Sequence, residues 1–484
     1  MDVDVTLSWR TGREAAEHDV HISSDEQAVI DGTAAVTTLT DASYGPLSLD
    51  LGQTYYWKIN EVNMAETPTT LEGDLWNFAT PEFLVMDDFE SYNNLDPDDP
   101  NSNRIFNAWV DGYEQPANGS VVGYPAAPFC EQSIVHSGAQ SMPLFYNNTG
   151  TVRYSEAELT LSQPQDWAKH GVNALSLWFS GDPNNVPDQM YVKINGSRVT
   201  YDGDAGNLTL RPWQPWNIDL ASLGMDLQNV TKLSIGFGDE TSMMPGGSGK
   251  VFFDDIRLYP YSRQLATPAE PAPGNLVAHY EFEGTGSDSS GSGLHGTAMG
   301  EPAFVAGKIG QAISLDGFND FVEITGYKGI LGPNAVSASA WINTTTMVTG
   351  TIVGWGPNID GQRFGFRVND DRIRMENAGG NVQGDSNITD GQWHYVAVTV
   401  QASATISYPD VILYVDGIDD TRATVDPDAF NLTADQDVRI GSRPASNDRF
   451  FMGLIDDVRI YDWALTQEEI AWLAGRTEPF DKPF

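Results

Sequence analysis

The chain has 484 residues, too many for one hydrophobic core and enough for about three domains. Its 40% hydrophobic content, with 47 glycines and 27 prolines, excludes a disordered chain and fits a globular β protein. Its 67 acidic and 26 basic residues give a formal net charge of −41, which excludes nucleic acid and anionic bilayers as partners and suits divalent cations, solubility and a salty medium.

Cys130 stands alone, so there is no intramolecular disulfide framework, and no apolar run is long enough for membrane insertion. Met1 leads straight into an alternating run from Val3 to Trp9 without a signal-peptide pattern. The chain is therefore expected to be a segment of a longer exported protein. Short alternating runs separated by Gly, Asn, Asp and Pro clusters recur along almost the whole length, which predicts an all-β fold of three tandem β-sandwich domains. Helical patterning is confined to about one turn at Arg13–Ala16 and to Thr466–Ala474, where Thr466 is the expected cap. The Pro- and Ala-rich stretch Arg263–Gly274 sets a semi-rigid linker over 261–274, and residues 476–484 are read as a tail.

In residues 1–80 the runs VTLSW, DVHISSD, QTYYWKINEVN and LWNFATP predict strands. The late pair, Tyr55–Ile59 followed by Gly73–Phe78, resembles the last two strands of a fibronectin type III-like sandwich, which implies a spacer. Trp9, Trp57 and Trp76 are expected in its core rather than on a sugar platform.

Residues 84–260 open with Val85–Tyr92, carry Val135-His136-Ser137-Gly138 in the middle and close with Val251–Leu258. This trio resembles the galactose-binding-like jelly roll shared by many carbohydrate-binding modules, in which the three segments converge on one structural calcium. Calcium takes six to eight oxygens, and carboxylates of the first and last strands with a loop carbonyl supply them. The resemblance implies Glu90, Asp254 and a carbonyl near Ser137 as ligands. The alternative is that these acids are ordinary solvated strand-edge charges.

Residues 275–475 carry Leu276–Gly284, Asp288–Gly291, Ser314–Gly317, Val336–Ile342, Gly391–Thr399, Leu413–Gly417 and Gly453–Tyr461 in that order. The ordered set resembles the laminin-G-like (concanavalin A-like) jelly roll. That resemblance implies calcium held by Asp316, Asp456 and Glu283, the last standing where relatives show Asp. Trp341 and Trp393 are expected in the core, and His394 is not a candidate catalyst. Together the three modules resemble planctomycete-type surface proteins.

No catalytic constellation emerges. A retaining glycosidase needs two carboxyls roughly 5 Å apart, which alternate acids on a strand provide. Glu281/Glu283 fall on the opening edge strand, and Glu156/Glu158 read as a solvated sheet face. The chain is thus expected not to be an enzyme. Sugar binding needs exposed aromatics; Trp178 and Tyr191 read as core, and Trp109, Trp213 and Trp216 as loop residues. The expected function is an extracellular or cell-surface protein that binds glycans or surfaces, with structural calcium. Self-association into a fibre, sheath or surface layer is the alternative, and the accessory region of a larger secreted carbohydrate-active enzyme is a second.

Overall fold

The computed structural model describes residues 4–402, 410–422 and 431–484. Val3, where the expected opening strand begins, lies outside the described residues. Strand makes up 42% of the chain and helix 6%, so the fold is all-β, built of several β-sandwich jelly rolls. Met1–Thr209, Pro215–Leu265 and Asp481–Phe484 form one compact unit, and Leu210–Gln214 with Ala266–Phe480 form a second. The expected first and second modules both fall in the first unit.

Within the first unit, the strand Thr54–Val62 pairs with Glu17–Ser23 on one side and with Thr70–Leu71 and Trp76–Ala79 on the other. A separate two-stranded sheet joins Val5–Ser8 to Ser43–Leu47. Leu7, Val20 and Ile59 are buried at the centre, with Trp9 and Trp57 packed against them. Trp76 departs from the expectation: it stands opposite Trp57 on an end strand and is 58% exposed. Strands Val36–Leu39 and Ser43–Leu47 were hidden because the first carries a Thr pair and the second a Gly-Pro turn signal. The expected helical turn at Arg13–Ala16 is reduced to a single hydrogen-bonded turn at Arg13–Glu14 and builds no helix. Ala16 N–H donates to Val62 O at 2.9 Å and Gly12 N–H to Glu61 at 3.1 Å, so the long strand captures this backbone. A short helix forms instead at Glu26–Ile30, where Asp25 accepts from Gln27 N and Ala28 N at 3.0 and 3.2 Å.

The same unit holds a larger sandwich. One sheet runs Val121–Val122, Met142–Asn147, Ser248–Tyr259, Ala174–Ser180, Gln214–Asp219, with Leu84–Asp87 also paired to Ser248–Tyr259. The facing sheet runs Ser197–Thr200, Met190–Ile194, Val230–Gly238, Tyr154–Gln165, Trp109–Val110. Between them lie Phe89, Trp109, Tyr146, Trp216, Phe237 and Phe253. Trp109 and Trp216, expected in loops, are thus core residues: Trp109 buries its ring and donates Nε1–H to Asp87 at 2.8 Å. Trp178, expected in the core, is only half-buried and stacks on His136 with ring centres 3.8 Å apart. At the start of the expected linker, Arg263 is fixed by Asp202 and Asp481, and Phe484 packs on Tyr259.

The second unit is also two-layered. Met452–Tyr461 runs between Gln311–Asp316 and Val336–Asn343, also pairs with Leu276–Tyr280, and the sheet continues through Trp393–Val400 and Val411–Val415. The opposing sheet contains Phe321–Ile324, Val438–Ile440, Gly350–Trp355, Phe364–Asn369 and Arg372–Glu376. The period of two sends Ala338, Ala340 and Ile342 into the inter-sheet core and Trp341 to the other face. There Trp341, Tyr395 and Tyr414 pack with Ile470 and Leu473 of the helix Gln467–Leu473. Thr466 and Glu469 close a capping box at its start. Replacing Thr466 by Ala should cost about 1 kcal/mol. Calorimetry of the full chain should show the second unit's transition lowered by roughly 2–4 °C and the first unit's unmoved.

Candidate functional site

Both units close on the same arrangement of acids. In the first unit Asp87 stands opposite Ile256 of the closing strand; in the second Tyr280 stands opposite Val458. These registers bring Phe89 and Phe282, Glu90 and Glu283, Asp254 and Asp456, and Arg257 and Arg459 to matching positions. The backbone agrees, with φ of 60° and 52° at Phe89 and Phe282, and 48° and 49° at Asp255 and Asp457. Each closing strand carries a bulge there. Asp254 pairs with Trp178 but Arg257 with Ser176, so Asp255 and Ile256 together face Leu177; Asp456 with Trp341 and Arg459 with Ser339 repeat this spacing. In a regular strand neighbouring side chains point to opposite faces; in the first unit the bulge lets both aspartates reach the turn at His136 and Ser137.

That turn is held from two sides. Asp254 accepts from His136 N and Ser137 N at 2.9 and 3.3 Å, while Glu90 accepts from Ala139 N and Gln140 N at 2.8 and 3.0 Å. In the second unit Asp456 accepts from Ile309 N at 2.9 Å and Glu283 from Gln311 N at 3.0 Å. Gly138 and Gly310 sit at the bend with φ of 68° and 56°, and a Cβ on either would collide with its glutamate. Asp255 bonds His136 Nδ1 at 2.6 Å, and Asp457 bonds His279 Nε2 at 2.6 Å.

Burial first, and the adjacent Asp255, push the Asp254 carboxyl up to about 7. Burial and Asp457 push Asp456 up to about 6. Asp255 goes the other way: burial works upward, and the bonds from His136 and Ser137 with the Arg257 charge outweigh it. Asp456 Oδ1 is buried with no hydrogen-bond partner. A buried, donor-less carboxylate oxygen beside a second acid fits a hard cation. The expected ligands are only partly brought together. Glu90 meets Asp254, and Glu283 meets Asp456, across one turn each. Ser137 presents donors to the acids, with its Oγ 2.9 Å from Asp255. Asp316 stands apart: it is opposite Met452, four residues from Asp456, or roughly 13 Å along a strand. Its Oδ1 accepts from Phe318 N and Asn319 N instead. Among the described residues no group of three or more His, Cys, Asp or Glu side chains converges as a metal cluster.

A groove of about 560 Å³ opens on the outer face of the Tyr154–Gln165 sheet. Met190, Val192 and Ile194 point into the core, which turns Tyr191 and Lys193 outward opposite Thr200 and Arg198. Gly236 lies between Glu156 and Tyr191 in the sheet, and its missing side chain lets the tyrosine ring lie flat across the backbone. The Tyr191 hydroxyl then donates to Glu156 at 2.7 Å, and Arg198 stacks on the ring at 3.9 Å. Tyr154, Gln189, Asp239 and Glu240 complete the lining. Tyr191, expected to be buried, is indeed fully buried, but beneath Arg198 on the outer side of the sheet and not between the sheets. Glu156 is engaged by Lys193 at 2.6 Å and Glu158 by Lys232 at 2.7 Å, so both alternate acids are charge-paired.

No curated protein sequence matches the chain. Among solved structures, domain 4 of AbnA, a GH43 extracellular arabinanase from Geobacillus stearothermophilus in complex with arabinotriose, is 28% identical over 41% of this chain and 98% of its own, with a TM-score of 0.34. The binding domain of Paraclostridial mosquitocidal protein 1 is 18% identical over 42% of this chain and 52% of its own, with a TM-score of 0.33. The binding domain of botulinum neurotoxin DC in complex with SialylT is 15% identical over the same shares, with a TM-score of 0.32. This chain therefore spans about half the length of those two binding domains. Residues 316–471, within the second unit's jelly roll, match the laminin-G-type family described as the concanavalin A-like lectin/glucanases superfamily.

Proposed function

We propose that the chain is a non-catalytic, extracellular or cell-surface glycan-binding protein whose two large jelly rolls are stapled by calcium. The groove over Tyr191 carries this reading. Its volume of about 560 Å³ takes a short run of sugar rings, Tyr154 offers aromatic surface beside the Arg198 guanidinium that covers the buried Tyr191 ring, and Gln189, Thr200, Arg198 and Glu240 offer hydrogen bonds. A fold whose family description covers both lectins and glucanases leaves binding and hydrolysis open. The pairing of Glu156 with Lys193 and of Glu158 with Lys232 favours binding, because neither acid is left to act as proton donor or nucleophile.

Calcium is the counter-charge that the buried aspartates lack. Glu90, Asp254 and a carbonyl near Ser137 would hold it in the first unit, and Glu283 with Asp456 in the second. A bound divalent ion supplies positive charge there; the chain's own contribution is to bend one turn onto both carboxylates.

Two experiments test this. Because the folded carboxyls of Asp254 and Asp456 are raised, folding takes up protons, and stability falls as pH rises from the unfolded value near 3.8. In EDTA, both units should therefore melt higher as pH is lowered from 8 toward about 5.5. Calcium should raise melting at pH 8 by several degrees and flatten that slope. Asp254→Asn should abolish both responses in the first unit alone; an unchanged melt after calcium removal from loaded protein would contradict the staple. For the groove, Arg198→Ala and Tyr154→Ala should each weaken polysaccharide binding roughly tenfold in affinity electrophoresis. Equal retention of wild type and variants would remove the groove as the site.

A further inference from the structure

The loop that follows Val230–Gly238 is pinned at both ends. Gly238 N–H donates to Gln189 O at 2.9 Å and Asp239 N–H to Arg153 O at 3.0 Å; beyond the tip, Gly246 N–H donates to Asn148 O and Gly247 N–H to the Asp188 carboxylate, each at 2.9 Å. Gly238 turns the chain out of the sheet at φ 83°. The first two loop residues, Asp239 and Glu240, are thereby set on the wall of the Tyr191 groove. Thr241 fixes the first of them: its N–H and its hydroxyl donate to Asp239 Oδ1 at 2.8 and 2.7 Å. Those bonds hold the Asp239 carboxyl below its ordinary value, and so ionised.

The cations of the groove are largely committed within it. Lys193 pairs with Glu156 at 2.6 Å, while Arg198 lies on the Tyr191 ring at 3.9 Å and donates to Gly238 O at 2.9 Å. The Arg198 charge acts on Asp239, which leaves Glu240 without a counterpart. Among the described residues Glu240 has neither a hydrogen bond nor an ion pair, and Asp239 Oδ2 accepts nothing. The lining thus holds two carboxylates and one guanidinium outside ion pairs. Both acids are exposed, so water satisfies them while the groove is empty. A ligand that displaces this water must replace the hydration of a charge, which a neutral hydroxyl does poorly and a cation does well. The net charge of −41 further favours a cation and repels an acidic sugar.

We infer that the glycan taken by the Tyr191 groove carries free amino groups, one of which binds as an ammonium at Asp239 and Glu240. This rests on the reading of the groove as a glycan site and names the class of sugar it takes. An ammonium is compact and brings three donors, enough for Asp239 Oδ2 and a Glu240 oxygen together. The volume of about 560 Å³ holds the ring and its amine in one open groove, so the charged group enters no closed cleft. The N-acetylated form of the same sugar lacks the charge, and covering Glu240 with it leaves a carboxylate without a partner.

Titration calorimetry of the full chain with a glucosamine oligosaccharide, its fully N-acetylated counterpart and an oligolysine of equal charge tests the inference, at about pH 6 where the amines are charged. At low salt the free-amine sugar should bind roughly fivefold more tightly than the acetylated one, and more tightly than oligolysine. The ratio should fall toward one in about 0.5 M salt. The double variant Asp239→Asn/Glu240→Gln should also bring it close to one, with melting unchanged because both acids are exposed. Asp96→Asn/Asp98→Asn removes the same two charges from exposed positions outside the groove and should leave the ratio intact. Equal binding of the two sugars overturns the amine assignment and leaves the groove standing. Binding of neither removes the groove as a glycan site, and the inference with it. A preference that survives Asp239→Asn/Glu240→Gln, or that Asp96→Asn/Asp98→Asn lowers as much, is attraction to the charge of the whole chain and overturns the site. Oligolysine held as tightly as the amino sugar overturns the assignment to glycans.

Discussion

On each closing strand one buried aspartate, Asp254 or Asp456, grips a glycine turn that a glutamate on the opening side holds from the other direction, while its neighbour, Asp255 or Asp457, bonds a histidine. Much else follows from this grip. It requires a bulge, because only an extra residue brings consecutive side chains to one place. It favours glycine at 138 and 310, where φ is 68° and 56° and a Cβ would push the glutamate carboxylate aside. It also buries one carboxylate deeply enough to raise its pKa, which makes each jelly roll sensitive to what neutralises that charge.

The same grip explains how these sheets become presenting surfaces. With the sandwich closed at the strand that receives several neighbours, the outer faces that no helix covers carry polar side chains. In the first unit these include Tyr191 beneath Arg198 over the bare Gly236 backbone. In the second they include arginines over Gly354 and Gly365. Each face pairs small residues in the ladder with long polar side chains beside them, a combination that leaves concave polar surface on a flat sheet.

The all-β class and the acids of the clamp were legible in the sequence because short alternating runs and the Glu90, Asp254, Glu283 and Asp456 motifs are local. The capped helix after Thr466 was legible for the same reason. Asp316 was misplaced because strand register, not motif order, decides which acids meet. The roles of Asp255, Asp457 and Gly310 were not legible, because a bulge leaves no mark on an alternating pattern. Trp109, Trp216 and Trp178 were assigned to the wrong environments because periodicity gives the face of a strand but not what covers it. The arginines over Gly354 and Gly365 are spread from Arg363 to Arg449, and only cross-strand register unites them.

Residue-resolved amide exchange on the full chain probes the clamp most directly. The amides of Ser137, Ala139, Gln140 and Ile309 lie outside the strands and that of Gln311 only opens one, yet each donates to a carboxylate. The account predicts that they exchange as slowly as core strand amides and that Asp254→Asn speeds Ser137 without affecting Ile309. Exchange of all five at the rate of open turns would contradict a clamp that closes both jelly rolls.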